Sequence, residues 1–151
     1  MKGDVSMKRF WIITIMMIVL LASNAFAQKA DTILGKWYTA GEKALVEIYK
    51  SGDSYCGKII WLKEPKNENG TDKMDIYNPD ESLKRRPVIG LDIVEGFKFK
   101  GKNKWVNGKI YDPDNGKTYS CKMTLVGDEL KVRGYIGISL IGRTTIWTRE
   151  S

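Results

Sequence analysis

From Lys117 to Leu125 the chain alternates without a break. Tyr119, Cys121, Met123 and Leu125 fall on one side of an extended backbone, and Thr118, Ser120, Lys122 and Thr124 on the other. The next run repeats the pattern, with Leu130, Val132 and Ile136 against Lys131, Arg133 and Tyr135. One apolar and one polar face is the habit of an antiparallel sheet that buries a single side. Short runs of this kind, rich in β-branched and aromatic residues, recur from Gly35 onward and predict strands over 36–39, 44–49, 55–62, 90–99, 104–111, 117–125, 129–136 and 143–149. Ser51-Gly52-Asp53, Gly101-Lys102-Asn103, Asn115-Gly116 and Gly127-Asp128 punctuate them, because tight hairpin turns need backbone at positive φ. Strands following one another in this way predict an all-β fold, a single small antiparallel meander that closes into a barrel and so loses its exposed edges.

One segment breaks the rhythm, from Lys63 to Pro87. Within it Asn78-Pro79-Asp80-Glu81 reads as the start of a short helix, with Asn78 as its N-cap and Pro79 at the first helical position. Pro87 ends that helix early by disfavouring a helical Arg86. Connections this long in small domains are either functional or flexible.

The N-terminus follows a different rule. Lys2, Lys8 and Arg9 precede an apolar run from Phe10 to Ala22, and Ala25-Phe26-Ala27 places small residues just ahead of Gln28. A basic start, an apolar stretch and an Ala-x-Ala site predict a secretory signal peptide over residues 1–27, cleaved between Ala27 and Gln28. The run is short of the ~20 residues a membrane span needs, so no span is expected after processing. The chain is thus expected to be exported, periplasmic or secreted, with residues 28–151 as one barrel domain.

Charge narrows the picture a little. The whole chain carries a formal +7, and loss of Lys2, Lys8, Arg9 and Asp4 with the leader leaves +5. The charge is spread out, with Lys84-Arg85-Arg86 the one dense cluster, and no nucleic-acid module accompanies it, so no nucleic-acid partner is expected. Cys56 and Cys121 are expected to form a disulfide, since paired cysteines persist in an exported chain; two buried free thiols are the alternative.

There are 0 histidines. That removes the commonest general base and the commonest zinc ligand, so no metal, no cofactor and no enzymatic activity are expected. Asp112 and Asp114 sit in a Pro-Asp-Asn-Gly turn, where such residues serve their own backbone, and Asp92 stands alone. Arg133 and Tyr135 share one face of a strand and are the first candidates for a ligand's polar anchor, although the alternation turns that face outward. Arg85 and Arg86 are the second.

Gly35-Lys36-Trp37 at the opening of the first strand resembles the signature of lipocalin-like barrels. In those barrels an arginine from the last strand packs across the indole; the resemblance implies Arg149, or Arg143, for that structural part. Several motifs in order are similar to one exported bacterial family, domain of unknown function 2147. They are Gly35-Lys36-Trp37-Tyr38, Tyr55-Cys56-Gly57-Lys58-Ile59-Ile60-Trp61-Leu62, Arg86-Pro87-Val88-Ile89-Gly90-Leu91, Gly96-Phe97-Lys98, Gly108-Lys109-Ile110-Tyr111-Asp112-Pro113, Gly116-Lys117-Thr118-Tyr119, Val132-Arg133-Gly134-Tyr135 and Trp147-Thr148-Arg149. The resemblance implies a lipocalin-like barrel and no particular activity. The expected role is a binding module for a small apolar or amphipathic molecule. The alternative is an envelope protein that works by protein–protein contact, with its partner unknown, and a histidine-free hydrolase comes third.

Overall fold

Gly35–Tyr38 (β1) opens an eight-stranded closed barrel that continues as Ala44–Ser51 (β2), Ser54–Leu62 (β3), Asp92–Gly101 (β4), Lys104–Asp112 (β5), Lys117–Val126 (β6), Glu129–Tyr135 (β7) and Arg143–Arg149 (β8). The computed structural model describes Trp11 and residues 29–151. The expected signal peptide and its Ala27–Gln28 cleavage point therefore fall, Trp11 apart, outside the described residues. The chain divides into two units, Met1–Thr32 and Ile33–Ser151, and the second holds the barrel. In the first, Thr32 Oγ1 donates to the Lys29 carbonyl at 2.8 Å.

Every neighbouring pair of strands is antiparallel, and β1 meets β8 through Trp37↔Arg149 and Tyr38↔Thr148 to close the wall. The period-2 pattern decides which side chains fill the barrel: Val46, Ile48, Val94, Phe97, Trp105, Cys121, Met123, Leu130 and Trp147 are all buried. Wall glycines make room for two of them. A Cβ at Gly108 would stand 2.1 Å from the Phe97 ring, and one at Gly57 would stand 3.0 Å from Val94. The ring of Phe97 thus occupies space that any other residue at 108 would take, and the interior there is filled by side chains.

The two ends differ. The turns after β2, β4 and β6 share one end with the start of β1, where Ile33 is fully buried. The other end is the mouth, and it carries residues 39–43, 63–91, 113–116 and 136–142. Interior-facing Ile110, Tyr119 and Thr145 are only half-buried towards it.

The long connection after β3 is folded rather than slack. Short bridges pair Lys66 with Asp72 and Met74 with Pro87. Backbone bonds run from Lys73 to Pro65, from Asp75 to Arg86 and from Val88 to Lys73, each at 2.9 Å. The expected helix is a correction: Glu81–Leu83 is one 3-10 turn, capped by Asp80, whose side chain accepts from the Ser82 amide at 2.9 Å. Asn78 makes a cap-like bond, its oxygen accepting from the Asp80 amide while its own amide donates to Asp75, but the turn starts only at Glu81, which makes Asp80 the cap.

Candidate functional site: a cleft on the outer wall

Strand alternation turns Lys109 and Tyr111 of β5 outward, since the intervening Ile110 pairs with the buried Val94. The folded connection 63–91 lies against this outer face. Its carbonyl at Tyr77 would be 1.8 Å from a Cβ at Gly116, whose φ of 70° is itself a conformation glycine favours. Contact between the connection and the β5–β6 turn is therefore backbone to backbone.

Between connection and wall lies a cleft of about 620 Å³. Leu83, Pro87, Ile89, Leu91 and Ile93 supply its apolar lining. Arg86, Asp92, Glu95, Lys109 and Tyr111 place polar groups of both signs around it. The volume is that of a small-molecule site, for which ~300–1,000 Å³ is usual, and an apolar wall with a few polar groups is its usual chemistry.

One edge of the cleft is built on Asp75, whose side chain is 0% exposed. A carboxylate removed from water needs partners, and three converge on it. Arg86 donates to Oδ2 at 3.1 Å, Asn78 donates to the same oxygen at 2.7 Å, and the Tyr111 hydroxyl donates to Oδ1. Burial, then the bond to Asp75, pushes the Tyr111 hydroxyl up to about 12. Residues 75, 78 and 86 belong to the connection and Tyr111 to the barrel, so the carboxylate fastens one to the other. Across the cleft, the Tyr49 hydroxyl donates to Asp92 Oδ1 at 2.7 Å and is likewise raised to about 12, chiefly by that bond.

The residues singled out from the sequence do not gather in one place. Arg86 lines the cleft and holds Asp75, whereas Arg85 is exposed and outside the lining. Tyr135 borders a second recess of about 460 Å³ on the outer wall, with Lys98, Phe99 and Lys122. Arg133 is not in that lining; its guanidinium donates to the Ser139 and Leu140 carbonyls at 2.7 and 3.0 Å and to Thr144 Oγ1 at 2.8 Å. It holds a loop. Asp112 serves its own turn, accepting from the Asp114 amide at 3.0 Å and from Asn115 at 2.8 Å.

The structure does bring Trp37 and Arg149 together, with the guanidinium 4.1 Å from the centre of the indole. The expected Cys56–Cys121 disulfide is a correction: both cysteines are free. Cys56 pairs with Tyr49 on the outer side of β3, while Cys121 is buried inside the barrel, so the wall itself separates the two sulfurs. Burial pushes the Cys121 thiol up to about 12.

Asp75, Lys109 and Tyr111 escaped the sequence reading as site residues. The available signal was Met74-Asp75-Ile76-Tyr77, an acid set among apolar residues inside an otherwise polar connection.

The family model described as an uncharacterized protein conserved in bacteria, DUF2147, matches residues 35–149. Among solved structures, the barrel is similar to protein HP1028 of Helicobacter pylori, described as belonging to the lipocalin family. The TM-score is 0.68 at 24% identity, covering 79% of this chain and 83% of that one. No curated protein matches the sequence.

Proposed function

We propose that this chain, which belongs to the DUF2147 family of uncharacterized bacterial proteins, is an exported binding module for a small amphipathic molecule. The observation that carries the reading is the cleft of about 620 Å³, apolar along Leu83, Ile89 and Ile93 and polar at Arg86, Glu95 and Lys109. A lipocalin-like barrel is compatible with a small ligand, but here bulky side chains fill much of the interior, which favours the outer wall as the place for one. Cations and carboxylates both border the cleft, so a hydroxyl-rich or zwitterionic head suits it better than a simple anion. With 0 histidines and both Asp75 and Asp92 engaged by neighbours, binding without chemical turnover is the reading preferred over hydrolysis.

Octyl glucoside below its micelle threshold is a suitable probe, having one apolar chain and a neutral polar head. Titrated into isotopically labelled protein, it should shift the amide resonances of Ile89, Ile93, Lys109 and Tyr111 in a saturable way. Saturable shifts confined to other parts of the wall, or none at all, would count against the cleft.

A further inference from the structure

The connection between β7 and β8 presents four large apolar side chains to solvent: Ile136, Ile138, Leu140 and Ile141 are 72, 60, 85 and 81% exposed. Scattered exposed apolar residues need no explanation, but four within six positions make a patch. The loop is also firmly built. Arg133 holds it by the Ser139 and Leu140 carbonyls, Lys122 Nζ donates to Ser139 Oγ at 3.1 Å, and Ser139–Ile141 forms a 3-10 turn. Its side chains are therefore held outward by polar bonds on the inner side of the loop.

Charge gives the patch a direction. From Lys117 to Arg149 the only acids are Asp128 and Glu129, and these lie at the β6–β7 turn, the opposite end of the strands from this loop. Lys117, Lys122, Arg133 and Arg143 occupy the part of the same three strands nearer the loop. The neighbouring β5–β6 turn adds Asp112 and Asp114, with the Asp112 carboxylate taken up by the Asp114 amide and by Asn115.

We infer that residues 136–141 are a membrane-docking tip, whose apolar side chains enter the interfacial layer of a bilayer while the basic residues behind them meet anionic phospholipid headgroups. A small inserted apolar surface backed by lysine and arginine is the combination that holds peripheral proteins on anionic membranes. The loop docks without spanning. Docking sets the β6–β8 side of the mouth against the lipid surface, and it stands whether or not the outer cleft takes a ligand.

The test is flotation with vesicles of phosphatidylcholine containing about 30% phosphatidylglycerol, compared with phosphatidylcholine alone. Protein recovered from an exporting host is used throughout, so that wild type and variants share any contribution from the N-terminal run. Wild type should float with the anionic vesicles and lose binding as salt is raised. L140S/I141S should weaken partitioning by about tenfold or more, and R143E should weaken it on anionic vesicles alone. A Leu140→Trp variant gives an independent reading through a blue shift of its added emission on those vesicles. Equal flotation of wild type and L140S/I141S, or an unmoved Trp emission, overturns the inference. So does concentration-dependent self-association that the double substitution abolishes while no vesicle binding occurs, since the patch would then meet a second copy.

Discussion

The guanidinium of Arg149, on the last strand, lies 4.1 Å from the centre of the Trp37 indole, on the first. The same arginine donates to the Leu34 carbonyl at 3.0 Å, and the indole N–H donates to the Ile33 carbonyl at 2.9 Å. Two hydrogen bonds thus tie the residues before β1 to the seam where the barrel closes. Arg149→Ala removes the stacked cation and leaves a carbonyl without this donor, at an expected cost of about 2 kcal/mol. Thermal or urea unfolding measures it; a loss under about 0.5 kcal/mol would show that the seam stands without the pair.

Gly116 is where the connection 63–91 rests on the barrel. Gly116→Ala should lift the connection locally, because the new methyl would lie 1.8 Å from the Tyr77 carbonyl and the backbone stands at φ 70°. Limited proteolysis should then cut within residues 63–91 while the strands stay intact. A cleavage pattern unchanged from wild type contradicts this packing.

Alkaline pH should loosen the same contact. The hydroxyl of Tyr111 titrates at about 12 in the folded protein against an ordinary 10.0, so folding favours its protonated form. A group whose folded value is raised contributes stability that is fully present below the unfolded value and is lost as pH rises through the folded one. The window is therefore roughly pH 10 to 12. Tyr49 acts in the same sense, through Asp92. Stability followed across this window should fall less steeply in Tyr111→Phe than in wild type, and parallel curves would deny Asp75 and Tyr111 their bond.

The thiols make a fourth test. A disulfide reagent added to native protein should modify the half-buried Cys56 and leave Cys121 untouched. Unfolding without reductant should release two reactive thiols per chain. Finding none would restore the bridge that the wall separates.

What the sequence discloses depends on the range of the interaction. Strands with strict alternation, such as Lys117–Val126, appear within a residue or two of their expected bounds, since burial of one face is written locally every second residue. The Gly-x-Trp opening pointed to the Trp37–Arg149 seam through its resemblance to lipocalin-like barrels. The connection 63–91 was opaque for a physical reason. Its order comes from Asp75 reaching Tyr111, 36 positions away, and from Gly116 yielding space to Tyr77. Neither partner leaves a periodic trace. The two cysteines misled because spacing along the chain carries no account of which side of a barrel wall each one faces.

Native mass spectrometry of the protein from an exporting host, set against the same sample after denaturation, tests the binding reading most directly. The expected native mass exceeds that of the bare chain, with the excess released on denaturation as a small amphipathic molecule. The bare mass under both conditions would contradict it.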